Sequence, residues 1–290
     1  MKKIIILIPI FNDWKSLIKL LNEINENISD LKDIHFECLI VNDASTIKQP
    51  KFIKPNYIRS LEILNMKENK GHARCNAFGI RYALENKEFD NLIIMDGDGE
   101  DRPIEIKSLI EVINEKPNVS VVAKRTERSE SFLFRFLYQV HKLICLIFTG
   151  ELINFGYFSL LTQSDAKKIS SKPSLWSCFP STVKKNIKSL NEINCIRGLR
   201  YFGYSHMSFP NLLLHSLSII AVFKYKVFLR STFMIIILTY LNSYLGNFSI
   251  FLQILIVFFN LTIFLVSYRE SKKDLLNSHK NLLEVRKITH

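Results

Sequence analysis

Four acidic side chains stand within six residues, directly after a short apolar run. Residues 91–95 are followed by Asp96-Gly97-Asp98-Gly99-Glu100-Asp101. A buried strand that ends in carboxylates presents them at the edge of a sheet where α/β proteins bind phosphate-bearing ligands, and carboxylate oxygens are the hard ligands that Mg²⁺ and Mn²⁺ prefer. The alternative is a solvated acidic turn, because Asp-Gly is common in turns. Carboxylates packed this closely repel one another unless a cation joins them, so we predict a site for Mg²⁺ or Mn²⁺.

The residues around this cluster alternate between strand-like and helix-like patterns from residue 3 to residue 125. Short apolar runs rich in Ile and Val, as expected of strands buried on both faces, occupy residues 4–8, 36–41, 61–64, 92–95 and 119–123. Between them, Asp13 stands where it would cap a helix, and Pro103 suits the first turn of another helix. This alternation predicts an α/β fold with a mostly parallel sheet, which binds its ligands at the carboxyl ends of the strands.

The composition excludes several classes of protein. Five cysteines are scattered through 290 residues without a Cys-x-x-Cys pair, so neither a disulfide framework nor a zinc site is indicated, and a reducing cytosolic setting fits. The net charge of +12 is uneven, because residues 131–230 carry 13 Lys and Arg against 3 Asp and Glu. A basic excess beside apolar sequence indicates an anionic membrane surface or a lipid phosphate. No nucleic-acid-binding motif accompanies it, and the first apolar run is too short for a signal peptide.

Two stretches near the C-terminus have the composition of membrane spans. Residues 248–268 hold no charge across 21 positions, and about 20 suffice to cross a bilayer. Residues 227–245 hold only Arg230, near their start, where its side chain can snorkel. Gly246-Asn247 between the stretches predicts a hairpin, and the cations that flank both outer ends place the termini in the cytoplasm. The alternative is a buried hairpin in a soluble protein.

Two other apolar stretches, residues 131–149 and 209–224, contain basic or histidine side chains. A cation near the centre of a bilayer costs roughly 3 kcal/mol. We therefore predict that the first is a helix lying on the membrane or packed on the domain, and that the second is an interfacial helix leading to the bilayer. The tail from residue 269 is predicted to be a charged helix or disordered.

Six short segments, taken together, resemble the inverting family-two glycosyltransferases, and within them the polyprenyl-phosphate sugar synthases of the dolichyl-phosphate mannose synthase type. The resemblance extends from residue 4 to about residue 268. The segments are Ile8-Pro9-Ile10-Phe11-Asn12-Asp13, Val41-Asn42-Asp43-Ala44-Ser45, Asn69-Lys70-Gly71-His72, Met95-Asp96-Gly97-Asp98-Gly99-Glu100, Val122-Ala123-Lys124-Arg125 and Arg200-Tyr201-Phe202-Gly203-Tyr204-Ser205-His206. The resemblance implies a GT-A-type nucleotide-binding domain and a nucleoside-diphosphate sugar donor.

The resemblance also implies a role for each residue that matches a segment. The donor-binding set is Pro9, Phe11, Asp13, Asp43, Asn69 and Gly71. Within this set, Pro9, Phe11 and Asp13 would cradle the nucleoside and Asp43 would contact the base. The catalytic Asp96 would face the ribose and the sugar, while Asp98, also catalytic, and Glu100 would ligate the metal. Asn42 departs from the pattern, because it replaces an acid that usually precedes Asp43.

The distribution of acids and arginines indicates the acceptor. Transfer to a sugar hydroxyl needs a general base, yet residues 131–230 offer only Glu151, Asp165 and Glu192, and Asp165 is interpreted as the cap of the helix that follows it. A lipid phosphate is already ionised at neutral pH and needs charge neutralisation instead. By resemblance, the catalytic Arg125 and Arg200 would bind that phosphate.

By resemblance, Arg135 is a third phosphate-binding arginine, with a solvated surface cation as the alternative, and Ser205 is a substrate-binding residue. Lys124, Arg128 and Arg197 stay open as alternatives to the arginines, since they lie close to them in the sequence. Guanidinium groups suit this task because they bind phosphate oxygens in pairs.

These observations predict a membrane-anchored, metal-dependent glycosyltransferase that moves a hexose to a polyprenyl phosphate at the cytoplasmic face of the cell membrane. Its predicted domains are a catalytic domain (1–207), an interfacial helix (208–226), a transmembrane hairpin (227–268) and a charged cytoplasmic tail (269–290). Its predicted partners are the nucleotide sugar, the lipid-linked acceptor and the bilayer, and a homo-oligomer stays open. Two rival hypotheses remain: transfer to a hydroxyl of a lipid-linked glycan, and an inactive membrane scaffold, against which the intact acidic cluster argues.

Overall fold

The computed structural model describes residues 1–127, 132–203 and 208–289, apart from the side chains of residues 125–127 and 132–135. Its centre is one mixed sheet whose strands lie in the order β7-β5-β6-β4-β1-β2-β3-β8. The strands are β1 (Lys2–Ile10), β2 (Ile34–Asn42), β3 (Ile58–Met66), β4 (Asn91–Ile94), β5 (Ser120–Glu127), β6 (Phe155–Thr162), β7 (Leu190–Ile196) and β8 (Leu282–Lys287).

Parallel pairing dominates the part of the sheet that carries the predicted donor site. β1 pairs in parallel with β2 and β4, and β2 pairs in parallel with β3, so the carboxyl ends of these strands meet at one edge. β6 runs antiparallel to β4 and β5, and β8 runs antiparallel to β3. The predicted α/β fold and all five predicted strands are confirmed, whereas β6, β7 and β8 were not predicted.

The α-helices of the described chain are α1 (Trp14–Ile28), α2 (His72–Asn86), α3 (Glu105–Glu115), α4 (Phe132–Thr149), α5 (Gln163–Ser170), α6 (Phe179–Asn186), α7 (Phe209–Ala221), α8 (Lys224–Tyr240), α9 (Asn242–Leu245), α10 (Asn247–Ser267) and α11 (Lys272–Leu276). Some of them cover the two faces of the sheet. Side chains of β1 alternate between the faces: Ile4 and Ile6 belong to the core under α1 and α3, and Ile5 and Leu7 belong to the core under α2, α5 and α6.

The apolar helices near the C-terminus form a packed hairpin. α8 and α10 lie against each other, with the Ser249 hydroxyl donating to the Leu238 carbonyl at 2.6 Å and the Phe228 and Phe264 rings 6.4 Å apart. Gly246 makes the connection with a φ of 53°. The predicted helix over 227–245 is instead divided into α8 and α9.

The described part of the chain contains one helical run, Asn247–Leu276, that is long and apolar enough to cross a membrane. α7 and α8 are bent by 82° at a short break and would count as a second span only if they were taken together. α4 and α7 are helical, as predicted for 131–149 and 209–224. Whether these helices enter or lie on a membrane stays a prediction.

The C-terminal tail differs from its prediction as a charged helix or a disordered segment. After α11 it forms β8, which joins the edge of the catalytic sheet beside β3. Leu275 is fully buried in the core under α2. Residues 272–289 therefore pack against the same sheet as residues 1–127, while the predicted division into domains stays a prediction. Pairing between segments more than 200 residues apart leaves no local trace in the sequence.

One predicted helix cap lacks its hydrogen bond and another is wrong. Asp13 occupies the predicted N-cap position of α1, but its side chain makes no capping hydrogen bond and binds Arg200 instead. α5 begins at Gln163 rather than at Ala166, and its cap is Thr162, whose side chain accepts a hydrogen bond from the Asp165 backbone N–H. The Asp165 carboxylate pairs with Lys168, three residues further along the same helix.

Candidate active site

The candidate site lies at the edge of the sheet where β1, β2 and β4 end. Asp13 follows β1, Asp43 follows β2 and Asp96 follows β4. Asn12 joins the first two loops: its side-chain Oδ1 accepts from the backbone N–H groups of Thr46 at 2.8 Å and Ile47 at 3.0 Å. Asn12 has a φ of 55°, which Asn tolerates better than most residues. These bonds hold two strand-end loops in one arrangement.

Asp43 holds a third loop in place. Its two carboxylate oxygens accept from the backbone N–H groups of Lys70 and Gly71, each at 2.8 Å, and only 4% of the residue is exposed. Gly71 has a φ of 90° and precedes α2. The contacts of Asp43 in this structure thus position the Asn69–Gly71 loop at the start of α2, while the predicted contact with a base stays a prediction.

The acidic loop after β4 is braced from within. The buried Asp101 carboxylate accepts from the Asp96 backbone N–H at 2.9 Å, and Asp98 Oδ1 accepts from the Glu100 backbone N–H at 3.1 Å. These bonds hold the backbone of the loop that carries Asp96, Asp98 and Glu100 in a defined turn. The loop therefore has the preorganisation that a binding site needs.

A segment from the far end of the domain, Arg197–Tyr201, lies on this acidic loop. Arg200 donates to Asp98 Oδ2 at 3.0 Å and to Asp13 Oδ2 at 2.6 Å, and Arg197 Nε donates to Glu100 Oε2 at 2.9 Å. The backbone N–H of Tyr201 donates to the Asp98 carbonyl at 2.9 Å. Arg200 thereby joins the carboxylates that follow β1 and β4.

Gly99 makes the close approach of this segment possible. It has a φ of 89°, and a Cβ atom at this position would stand 2.4 Å from the Tyr201 ring. Only glycine adopts such a backbone conformation without strain. The phenol O–H of Tyr201 in turn donates to Glu23 of α1, which fixes the ring over the glycine.

The electrostatics of the site favour an added cation. Burial first, and then the charges of Asp96 and Glu100, raise the pKa of Asp98 to about 6, against the opposing effects of the Glu100 backbone N–H and Arg200. Only 18% of the Asp98 side chain is exposed. Because neighbouring carboxylates contribute to this rise, an added cation would reduce the repulsion among them.

The donor set fits a divalent cation that arrives with a ligand. Mg²⁺ is commonly bound by one or two carboxylates together with substrate phosphates, and Asp98 and Glu100 supply such oxygens. Among residues 1–127, 132–203 and 208–289, however, no group of three or more His, Cys, Asp or Glu side chains is arranged to hold a metal by itself. Arg200 and Arg197 bind oxygens of the two carboxylates, so these arginines provide the counter-charge here.

The site continues directly into the apolar helices. His72 Nε2 lies 3.2 Å from Asp96 Oδ1, the His72 ring packs edge-on against Tyr157 with centroids 4.3 Å apart, and Tyr157 stacks on Phe179 of α6. α6 bonds to α7 through Ser181, which donates to the Ile219 carbonyl at 2.8 Å. A run of contacts thus joins a site carboxylate to the apolar layer.

The charge of His72 depends on Asp96. Burial lowers the pKa of His72, but the charge and the hydrogen bond of Asp96, together with the charges of Asp101 and Asp98, outweigh that effect and raise the pKa above its ordinary value. The opposite charge of a nearby carboxylate stabilises the protonated form of an imidazole ring.

The structure brings together several of the predicted site residues. Asp13, Asp98 and Arg200 meet directly, and Asp43, Asn69 and Gly71 lie in the joined loops of the same edge. Pro9 is buried within β1, and Phe11, just beyond that strand, is 39% exposed. Arg200, predicted for the acceptor phosphate, lies among the donor-side carboxylates.

Three predicted residues cannot be placed in the site. Arg125 belongs to β5 and Arg135 to α4, but their side chains lie outside the described residues, as does Ser205. Their roles stay predictions.

Sequence reasoning missed four residues that build the site: Asn12, His72, Asp101 and Tyr201. Three of them stand inside the segments that carry the family resemblance, and Asp101 ends the acidic cluster. Their positions gave a signal, but their partners could not be read from it. Asn12 bonds 34 and 35 residues away and Tyr201 bonds 178 residues away.

The acids considered as a general base have partners outside the site. Asp165 follows β6, whose end pairs with the start of β4 at the opposite edge of the sheet, and it accepts from Ser120 at 2.7 Å. Glu151 binds Lys226 at 2.5 Å. Asn154 donates to Glu192 at 3.3 Å. Asp165 therefore lies at the opposite edge of the sheet from the candidate site.

Comparison with known proteins provides a family for the chain. Residues 5–179 match the family model described as Glycosyl transferase family 2. Among curated proteins, the chain is similar to uncharacterized protein MJ0544 of Methanocaldococcus jannaschii, with 29% identity over 115 residues, which are 38% of this chain. The match covers 47% of that protein, so the chain spans about half the length of this curated relative.

Solved structures share the fold. Glucosyl-3-phosphoglycerate synthase from Mycobacterium tuberculosis, in complex with Mn²⁺, UDP-glucose and phosphoglyceric acid, has a TM-score of 0.51 at 12% identity, over 78% of this chain and 80% of that chain. S. aureus TarS in complex with UDP-GlcNAc has a TM-score of 0.48 at 14% identity, over 84% of this chain and 73% of that chain. The first likeness shows a GT-A-like fold. The polyprenyl-phosphate subtype stays a prediction.

Proposed function

Because the chain belongs to glycosyl transferase family 2, we propose that it is a membrane-anchored, metal-dependent, inverting glycosyltransferase. It moves a hexose from a nucleoside-diphosphate sugar to a polyprenyl phosphate at the cytoplasmic face of the membrane. The observation that carries the proposal is the run of contacts from Asp96 through His72, Tyr157 and Phe179 to the apolar helix α7. This run of contacts places the donor carboxylates next to the apolar helices, so a lipid acceptor held by those helices would have its phosphate near the donor.

The donor half of the proposal rests on the edge where β1, β2 and β4 end. Parallel strands bind nucleotides there, and a protein of the same fold binds UDP-glucose with Mn²⁺. Asp98 and Glu100 would hold the divalent cation, which would neutralise the pyrophosphate of the donor. Arg200 and Arg197, which now bind these carboxylates, would then become available to anionic groups of the substrates.

The acceptor half rests on charge. A phosphate needs no general base, and Asp165 lies at the opposite edge of the sheet. His72, whose pKa Asp96 raises, lies where the site meets the apolar helices. Arg125 and Arg135 are retained as phosphate-binding arginines, and Ser205 as a substrate-binding residue, on the family resemblance.

The proposed membrane anchor rests on the topology of the sheet. β8, after the apolar helices, pairs with β3 in the same sheet as β1 to β7. The chain before and after these helices therefore lies on one side of a membrane, which requires an even number of crossings. If α10 crosses, a second span must return the chain, and α8 with α9 is the neighbouring segment that can do so. Basic residues at both outer ends, such as Lys224 and Lys272, orient the hairpin with its ends in the cytoplasm.

A second candidate function, transfer to a hydroxyl of a lipid-linked glycan, is favoured by one observation. His72 and Asp96 form the kind of imidazole–carboxylate pair that relays a proton in hydrolases and transferases. The two functions differ in the bond that they make, a sugar phosphodiester or a glycosidic linkage, so the product decides between them.

The experiment is to incubate membranes that contain the full chain with a panel of radiolabelled nucleotide sugars, and to extract the lipids. We expect label in a polyprenyl-phosphate sugar that mild acid releases. Asp98→Ala should abolish the labelling, whereas Asp165→Asn, at the opposite edge of the sheet, serves as the matched control and should retain it. Label in an acid-stable glycosidic linkage would support the second candidate, and the absence of labelled lipid with every donor would contradict both.

A further inference from the structure

The C-terminal tail is connected by hydrogen bonds to both of the loops that would hold the donor's nucleoside. It does so through two separate groups of hydrogen bonds, one from Asn281 and one from Glu284. Neither residue belongs to a segment of the family resemblance, and both follow the apolar helices in the sequence.

Asn281 pairs with the chain just before the Asn69–Gly71 loop. Its side-chain Oδ1 accepts from the Glu68 backbone N–H at 3.1 Å, and its Nδ2 donates to the Glu68 carbonyl at 2.9 Å. The Asn281 carbonyl also accepts from the Lys67 backbone N–H at 2.7 Å. Because Asp43 holds Lys70 and Gly71, this loop is fixed at one end by β2 and at the other by the tail.

Glu284 begins a ladder of side-chain hydrogen bonds across three strands. Asn65 of β3 donates through Nδ2 to Glu284 Oε1 at 2.9 Å, and Asn42 of β2 donates through Nδ2 to Asn65 Oδ1 at 2.8 Å. Asn42 Oδ1 then accepts from the Ser45 backbone N–H at 3.1 Å. Ser45 accepts from the Asn12 backbone N–H at 2.8 Å, so the ladder ends in the joined loops after β1 and β2.

The two ends of the ladder specify the same direction. A carboxylate only accepts hydrogen bonds, so Asn65 presents its NH₂ group to Glu284 and its oxygen to Asn42. The backbone N–H of Ser45 only donates, so Asn42 presents its oxygen to Ser45 and its NH₂ group to Asn65. Each amide therefore has one orientation that satisfies both neighbours, and Glu284 on the C-terminal strand is one of the two groups that fix it.

We propose that the C-terminal strand is a positioning element of the donor site, and that Glu284 acts through Asn65 and Asn42 to set the loop that binds the nucleoside. The proposal rests on the proposed function, since it assumes a nucleoside-diphosphate sugar at this edge. It also accounts for Asn42, where the family pattern has an acid. An aspartate at position 42 would place an acceptor against Asn65 Oδ1, or, if Asn65 turned over, would place Asn65 Oδ1 against Glu284.

The ladder can be reversed by design, which gives a sharp test. Asn42→Asp should lower the affinity for the nucleoside diphosphate about tenfold, because one pair of acceptors is left facing each other and the ladder is broken. Glu284→Gln alone should stay close to wild type, since its amide oxygen still accepts from Asn65. The double variant should recover the affinity, because the amide introduced at position 284 can donate to a reversed Asn65, which then donates to the carboxylate introduced at position 42.

The measurement is calorimetric binding of a panel of nucleoside diphosphates, with Mg²⁺ or Mn²⁺, to the full chain in detergent, followed by separate KM values for donor and acceptor. Lys287→Ala is the matched control on the same strand, because its side chain is 77% exposed and lies beside Glu62, away from the loops. Asn281→Ala tests the second contact independently and should raise the donor KM several-fold while the acceptor KM stays unchanged. If Asn42→Asp does not fold, Asn281→Ala still tests whether the tail positions the donor site.

The outcomes separate this inference from the function on which it rests. If wild type binds none of the nucleoside diphosphates, the proposed function fails and the inference fails with it. If wild type binds one of them, and Asn42→Asp and Asn281→Ala bind it equally well, only the positioning role of the tail is overturned. A loss in Asn42→Asp that Glu284→Gln does not restore would also overturn it, since a merely local effect of position 42 explains that result.

Discussion

At the scale of single residues, the acidic loop combines binding groups whose charges oppose folding. Asp98, Asp96 and Glu100 lie close enough for their charges to raise the pKa of Asp98 beyond the effect of its burial. Arg200 and Arg197 offset only part of this repulsion. Binding sites commonly retain such unfavourable charge, because the ligand supplies the missing cation.

The first prediction follows from the direction of this shift. The Asp98 carboxyl has a pKa of about 6 in the folded protein against an ordinary value of 3.8, so the folded state binds its proton more tightly. The contribution of Asp98 to the free energy of unfolding is therefore fully present below about pH 4 and is lost as the pH rises through about 6. At pH 7 the ionised carboxylate costs on the order of 2–3 kcal/mol.

Asp98→Asn should consequently stabilise the protein at pH 7 in EDTA while abolishing transfer. The gain should shrink to nothing near pH 4, where the wild-type carboxyl is protonated. Thermal unfolding of both proteins across this pH range measures the effect. A variant that is less stable than wild type at pH 7 would show that the bonds from Arg200 and Glu100 outweigh the repulsion.

How much of the site the sequence could reveal differs from residue to residue. Asp13, Asp43 and Asp96 were predictable as neighbours, because apolar runs mark the strands and parallel strands end at one edge. The bond from Arg200 to Asp13 spans 187 residues, and no periodicity encodes it. Asp13 and Asp165 were interpreted as caps because local rules favour that role. Asp13 does stand at the N-cap position, but its carboxylate binds the distant Arg200, and Asp165 binds Lys168 within its own helix.

At the scale of elements, the Arg197–Tyr201 segment is the piece whose docking completes the site. It bonds to the acidic loop through the backbone of Tyr201 and Gly198 as well as through two arginines. A single glycine, Gly99, provides the space for it. The segment should therefore respond sharply to a change at that glycine.

Gly99→Ala should release this segment. Its added Cβ would meet the Tyr201 ring, and its φ of 89° is unfavourable for alanine, so we expect a loss of about 1–3 kcal/mol in the free energy of unfolding. Trypsin should then cleave after Arg197 and Arg200 more rapidly. Gly203→Ala is the matched control, because its φ is 68° but nothing lies within 4 Å of its added Cβ. Equal sensitivity of the two variants to trypsin would contradict a specific contact between Gly99 and Tyr201.

Prediction of elements succeeded where periodicity was strong and failed where pairing was distant. β1 and β4 are continuous apolar runs, and α1 buries Leu17, Leu21 and Ile24 on one stripe, so each was evident from sequence. β8 has the sequence Leu-Leu-Glu-Val-Arg-Lys, which is largely exposed on an edge and carries as much charge as a surface helix. Its strand conformation depends on β3, more than 200 residues away.

At the scale of the whole molecule, the sheet and the apolar helices constrain each other. Neither hydropathy nor charge alone gives the number of spans, and by length and composition the described chain holds one span or two. The position of β8 in the sheet restricts the choice, because a single crossing would separate β8 from β3 by a bilayer. The structure and the composition together therefore favour two crossings, or none.

The last prediction distinguishes these possibilities. α10 has 21 residues, which rise about 31 Å and match a hydrocarbon core of about 30 Å. If α10 and α8 both cross, Ser243 in the exposed connection between them faces the outside. The native cysteines are buried, so a cysteine introduced by Ser243→Cys should dominate labelling. A membrane-impermeant maleimide should then modify Ser243→Cys in intact cells, and should modify Lys272→Cys, the control beyond α10, only in inverted vesicles. Labelling of both variants from the cytoplasmic side alone would exclude a spanning hairpin, because the even number of crossings required by β8 would then be zero.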